Sequence, residues 1–392
     1  MQLTDILELG SEIDPIFSDM AKASESTFAH LERYPYVMYG AGEGAHWFYE
    51  VGVKRKGLTP LAIVDQRANE IRNYQGIPCI DLQEAAVQFG KLDIDVVVCV
   101  GEFESFLTIR ANLHKHGFSK VHYQGWFYEI HNLLEVEFLG ESAWRRMFKL
   151  NEAAIVSAYA QMEDELSQRL FAQLINTHYH RQARRFPRRP REEQHFPKDI
   201  TLVKGCSSLV VCGAYDGEAL RVLKQHGINA EKIFLFEPEP EIFTQLVVNV
   251  AKYQQEYGID ILAIPMATSE KTSLVSFLSG DGLGSKICEG GNCHVQAVSL
   301  DDFFGSDKIT RITMDIEGHE GATLRGAVKL VKSQKPDLSI SVYHDPKQLW
   351  EIPSLISSLQ KGYKFYLRNY TSYAVETVLY ATHSRGKSWE IP

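Results

Sequence analysis

Several things are scarce in this sequence, and each shortage closes off a class of protein. There are six cysteines in 392 residues, scattered, so no disulfide framework is written into the chain. Cys288 and Cys293, with His294 beside the second, lack the second pair that a structural zinc site uses. No run of about 18 apolar residues occurs, so no membrane-spanning helix is expected. Met1 opens an acidic, polar stretch without an apolar signal segment, and the expected compartment is the cytoplasm. Positive charge is also short: the net charge is −9, which argues against general nucleic-acid binding. Yet six of the 41 basic residues crowd into "RQARRFPRRPRE", Arg181 to Arg191. That segment reads as a solvated linker; the other reading is contact with an anionic substrate or partner.

What is present fits a globular protein. Hydrophobic residues make up 44% and charged residues 23%, and the length suits two cores better than one. Residues 1–33 read as amphipathic helix. Residues 34–130 alternate strand and helix, through "YVMYGAGEG", "LAIVDQ", "GIPCIDLQEAAVQFG" and "IDVVVCVGE", which is a Rossmann-like α/β pattern. Residues 131–204 form a helical, then Arg/Pro-rich connector, with Pro187, Pro190 and Pro197 as helix breakers. From residue 205 to 392 the alternation restarts. "KTSLVSFLSGDGLGSKICEGGNCHVQAVSL" reads as an inserted hairpin or loop, and the last two strands lie close enough to pair antiparallel. The expected fold is α/β: a doubly wound sheet with an antiparallel addition, preceded by a smaller α/β domain.

Each α/β unit has a glycine turn after its first strand. The first, Gly40, Gly42 and Ala45, fits G-x-G-x-x-A, and Asp65 ends the next strand where a carboxylate meets ribose hydroxyls. It is a candidate nucleotide site; the alternative is that its glycines only permit tight strand–helix contact. The second, Gly213-Ala214-Tyr215-Asp216-Gly217, carries an acid inside a G-x-x-x-G spacing, a poor cradle for phosphate. Glu237 and Pro238, in "FEPEP", close the following strand, with Glu237 placed for a ribose diol. S-adenosylmethionine, with a ribose and a sulfonium but no phosphate, suits this acidic turn better than a dinucleotide. The bare glycines are then expected to make room for it.

Residues 205–381 resemble the FkbM-type methyltransferases, a class I adenosylmethionine-dependent family. "CGAYDG", "FEPEP", "VSLDDFF", "MDIEGHEGATLRGA", "KPDLSISVYH" and "YKFYLRNYTSYAVETVLYA" carry the resemblance in the family's order, and "EEQHFPKD" is similar to the lead-in of two-domain members. The resemblance implies a class I sheet of seven strands, the last one antiparallel, with adenosylmethionine at the strands' carboxyl ends. It also implies methylation of a sugar or natural-product hydroxyl, so a small-molecule or glycan acceptor. It places Ser299 near adenine. Two positions depart from the family: Val211 where Asp is common, and Thr313 where Lys is common.

Methyl transfer to a hydroxyl needs alignment and a base. Asp315 and Glu317 end a buried strand and share a face if it stays extended; His344 ends the next. These three are the expected catalytic residues, with Asp315 also at the cofactor. Their spacing matches no metal-binding loop, and no metal is expected. Glu320 reads as a helix N-terminal charge and His319 as solvated. Ser285 either lines the cofactor pocket or sits in a lid, and Tyr363, Phe365, Tyr366, Tyr370 and Tyr373 read as strand core. The competing functions are a nucleotide-binding module or a nicotinamide-dependent enzyme using the Gly40 turn, beside a degenerate methyltransferase domain. Oligomeric state is not legible.

Overall fold

The structure is a computed structural model that describes residues 1–11, 15–22, 26–127, 141–280 and 285–383. In the first α/β unit, β1 (Tyr36–Tyr39), β2 (Ile63–Val64), β3 (Asn73–Tyr74), β4 (Ile77–Ile80), β5 (Asp95–Val98) and β6 (Lys120–Tyr123) form one sheet. The order is β3-β4-β2-β1-β5-β6, parallel except for β3. The β-branched run Val96–Val98 is wholly buried, as a central parallel strand covered on both faces must be.

The second unit is built on β7 (Ser208–Cys212), β8 (Lys232–Phe236) and β9 (Asp260–Ile264). An insertion supplies β10 (Ala267–Thr268), β11 (Ser273–Leu278), β12 (Lys286–Ile287) and β13 (Cys293–Val298). Then come β14 (Arg311–Met314), β15 (Asp337–Ser341), β16 (Tyr363–Asn369) and β17 (Thr377–His383). The main sheet has seven strands in the order β16-β17-β15-β14-β7-β8-β9, and β17 alone runs against its neighbours. This is the expected doubly wound sheet with its antiparallel last strand. The insertion is a four-stranded sheet of its own, β10-β13-β11-β12.

Local chemistry sets the helices. Pro240 occupies the first turn of the helix Pro240–Tyr257, where its missing N–H costs nothing. The helix expected after "MDIEGHE" is two short ones, Glu320–Arg325 and Val328–Gln334. The break falls at Gly326, where a Cβ would lie 2.1 Å from the Ser269 carbonyl oxygen.

The connector belongs physically to the second unit. Its helices Glu141–Leu150, Glu152–Ala160 and Glu165–His180 bury Trp144, Phe148, Leu170 and Phe171 in one core with Ile340, Trp350 and Phe365. Leu3 and Ile6 of the first helix join that core, while Phe17 and Phe28 pack into the first unit. Each such buried side chain contributes roughly 1.5–3 kcal/mol. The Arg-rich segment is no solvated linker. Arg184 is buried and donates to the Gly10 carbonyl and to Asn176. Arg185 and Arg188 pair with Glu104 and Glu102 of the first unit, and Arg189 with Glu193 and Asp199. Periodicity does not show these partners, and Gly10, Glu102 and Glu104 are distant in sequence. The segment is a strap between the two units.

Candidate active site between the two units

A cavity of about 680 Å³ opens at the carboxyl edge of the seven-stranded sheet, within the usual size of small-molecule sites. Gly213, Ala214, Tyr215, Glu237 and Pro238 line it on the β7–β8 side, and Asp315, Glu317, Tyr343 and Glu376 on the β14–β15 side. His46, Trp47 and Arg55 of the first unit and Arg191 and Gln194 of the strap complete it. Trp47 stacks on Tyr373 with ring centroids 5.7 Å apart, so the first unit's helix is held against the rim.

On the β7–β8 side Glu237 is 6% exposed. Its Oε2 accepts from the Tyr215 N–H at 2.8 Å and its Oε1 from the Glu239 N–H at 2.9 Å. Burial raises its pKa to about 7, against the pull of those two amides. Gly213 has φ +80, and a Cβ there would fall 1.9 Å from the carbonyl oxygen of Asp315. This glycine lets β14 leave the sheet beside it, and it also lines the cavity. Asp216 turns away to a two-oxygen pairing with Arg221, and Gly217 opens the next helix; neither lines the cavity. Ser299 caps the helix Leu300–Phe304 by accepting from Asp302 N–H, and it too lies outside the cavity. Ser285 lines it, with a buried hydroxyl that has no partner among the described residues. The four residues before Ser285 in "SGDGLGSKI" lie outside the described residues.

On the other side the backbone does not stay extended after β14. Glu317 turns into the left-handed region at φ +55, and it still converges with Asp315 on one imidazole. His344 Nε2 lies 3.4 Å from Asp315 Oδ1 and 3.6 Å from Glu317 Oε1. His344 Nδ1 lies 3.0 Å from Glu320 Oε1, and both side chains are fully buried. Burial opposes charge on the ring, but Glu320 and Glu317 hold the His344 pKa well above its ordinary value. Enclosure pushes the Asp315 carboxyl well above the ordinary carboxylate range, only partly countered by His344. Glu320 moves the other way: burial opposes ionisation, but His344 and the Ile316 amide, which donates at 3.0 Å, hold its carboxyl low. The Tyr343 hydroxyl donates to Asp315 at 3.2 Å.

Glu320 does open the helix Glu320–Arg325, as expected, but it is also the buried partner of His344. One expectation changes: His319 is not solvated, since Ser269 Oγ lies 2.9 Å from its Nε2 and burial lowers its pKa. Sequence reasoning missed Trp47, Arg191, Tyr343 and Glu376 as site residues. Tyr215, Glu317 and Glu376 all line the cavity with positive φ, at +48°, +55° and +57°. Non-glycine strain of this kind concentrates at functional sites.

At the Gly40 turn, Gly40, Gly42, Ala45 and Asp65 lie at the carboxyl ends of β1 and β2. Asp65 Oδ2 accepts from the Ala41 N–H at 2.7 Å and its Oδ1 from the Arg67 N–H at 2.8 Å. None of the four lines the cavity. Val211 and Thr313 do, as wall residues.

The strand order and the site at the sheet's carboxyl edge define a class I methyltransferase fold with a second α/β unit. Residues 212–365 match the methyltransferase FkbM domain. Methyltransferase FkbM from Methylobacillus flagellatus KT has a similar crystal structure, at 20% identity and a TM-score of 0.62, over 97% of this chain and 98% of that one. An O-methyltransferase family 2 protein from Planctomyces limnophilus, solved with apigenin, matches at 13% identity and a TM-score of 0.27, over 64% of this chain and 72% of that one. No curated protein sequence matches this chain. No helix among the described residues is long and apolar enough to cross a membrane.

Proposed function

We propose that the protein is an S-adenosylmethionine-dependent O-methyltransferase acting on a hydroxyl of a small-molecule or glycan acceptor. The observation that carries this reading is one cavity with two chemically different ends. The Glu237 end offers a buried carboxylate and a phosphate-poor turn, which suit a ribose and a cationic sulfonium. The Asp315 end offers oxygen acceptors for a hydroxyl proton.

The residues fit the cofactor. Glu237 would take the ribose hydroxyls, with the Gly213–Tyr215 turn and Pro238 against the remainder. Adenosylmethionine, when bound, supplies a methyl group on a sulfonium. The chain's own task is to hold the acceptor oxygen in line and take its proton. While no cation occupies the site, Glu320 and Glu317 favour a proton on His344, which makes the ring the poorer base. Asp315, with its raised carboxyl pKa and open side toward the cavity, is the better one. His344 then positions the carboxylates.

The Gly40 turn supports a nicotinamide reading less well, because Asp65 is also paired with the Arg67 guanidinium and lies outside the cavity. Incubation with methyl-labelled adenosylmethionine and a panel of hydroxylated acceptors tests the proposal. Label transferred to an acceptor oxygen, and cut by about 10²–10⁴-fold in Asp315→Asn, is the expected result. Transfer to nitrogen or carbon alone would overturn it.

A further inference from the structure

The cavity floor poses a question that methyl transfer leaves unanswered. His344 is completely buried, yet its Nε2 closes no well-formed hydrogen bond among the described residues. Its Nε2 faces Asp315 Oδ1 and Glu317 Oε1 at 3.4 and 3.6 Å, beyond the usual 2.7–3.2 Å of a hydrogen bond. Either separation is close to what a pair of neighbouring ligands shows around a shared ion. Bonds of roughly 2.0–2.2 Å to a small divalent cation place neighbouring ligand atoms about 3.0–3.5 Å apart.

The other side of the ring is arranged as metal-bound histidines require. Nδ1 abuts Glu320, itself buried and fixed by the Ile316 amide and the Gln348 side chain. A carboxylate behind a histidine sets the tautomer that leaves Nε2 free to ligate. Asp315 is further oriented by the Tyr343 hydroxyl. Enclosed carboxylates around one imidazole also need a counter-charge.

We propose that Asp315, Glu317 and His344 bind a divalent cation, with Glu320 orienting the histidine. Two carboxylates and one imidazole are an oxygen-dominated set, suited to Mg²⁺ or Mn²⁺. Asp315 and Glu317 line the cavity, so the ion's remaining positions face the acceptor space. An oxygen-rich acceptor with two neighbouring oxygens would chelate it there and be fixed for attack. What the ion does rests on the methyl-transfer reading; whether it binds does not.

The test is a titration of the full, chelator-stripped chain with Mn²⁺, following loss of the free-ion electron paramagnetic resonance signal. One site per chain is expected, weakened at least about tenfold in Glu317→Gln and about 10–100-fold in Glu320→Gln. Glu317 is part-exposed, so its variant keeps the fold if Glu320→Gln does not. A second cluster, His30, Asp95 and His122, is the internal control, and His30→Gln leaves the site intact. No saturable Mn²⁺ binding, or binding lost in His30→Gln and kept in Glu317→Gln, overturns the proposal. Adenosylhomocysteine binding by the same preparation separates the two readings. If it persists without Mn²⁺ binding, the cation site fails and the methyl-donor site stands.

Discussion

Glu320 Oε1 lies 3.0 Å from His344 Nδ1, and neither side chain reaches solvent. The pair joins the helix after β14 to the turn after β15, so it fixes the spacing of the two strand ends that carry the acceptor side of the cavity. Removing one partner leaves a buried charge without compensation. His344→Ala is expected to cost about 3–5 kcal/mol of stability, measured by denaturant unfolding. A cost under about 1 kcal/mol would show that the pair is not buried as described.

Gly213 and Gly42 look alike as turn glycines, but their surroundings differ. A Cβ at 213 meets the Asp315 carbonyl oxygen at 1.9 Å and φ is +80; at 42 nothing lies within 4 Å. Gly213→Ala is expected to cost about 2–5 kcal/mol through strain and overlap. Gly42→Ala should stay within about 1 kcal/mol. Parallel thermal melts compare them.

Burial raises the Glu237 pKa to about 7. The native state therefore holds this proton more tightly than the unfolded chain. The group's contribution to stability is full below the ordinary glutamate range and is lost as pH rises through about 7, a change of about 3 kcal/mol. Ribose hydroxyls donate to the ionised form, so ligand binding pulls the other way. Adenosylhomocysteine affinity should rise toward and through pH about 7, by up to about tenfold per pH unit below it. Glu237→Gln should flatten that profile in calorimetric titrations.

Much of this site was legible because the sheet's period places chemistry at strand ends. The run Leu209–Cys212 marked β7, and Glu237, Asp315 and His344 were found as polar residues just past buried strands. The hidden residues are those whose partners lie across the fold. Glu320 is spaced like any helix-opening acid, and only the β14–β15 pairing puts His344 against it. Arg184 to Arg191 read as solvated because charge runs usually are; Arg184, Arg188 and Arg185 instead find acceptors on Gly10, Glu102 and Glu104, far away in sequence. Trp47 follows an unrelated glycine turn, and nothing local indicates that its helix faces the second unit's cavity.

Trp47 stacks on Tyr373 at the rim while Glu237 sits on the opposite side. Trp47→Ala should leave adenosylhomocysteine affinity within about twofold and raise the acceptor KM about tenfold, since the ring contact is worth about 0.5–1.5 kcal/mol. Steady-state kinetics with an acceptor from the labelling panel separates the two effects. Equal loss of both affinities would mean that the first unit closes the whole cavity rather than its acceptor end.

The central claim is that the β7–β8 edge is a methyl-donor site. Calorimetric titration of the purified, folded chain with adenosylhomocysteine, beside NAD as a control, tests it most directly. The account predicts saturable binding at one site per chain, abolished in Glu237→Ala, and no comparable binding of NAD. Absence of adenosylhomocysteine binding in folded, cofactor-free protein would contradict it, and Val211, standing where the family commonly has Asp, would be the first residue to change.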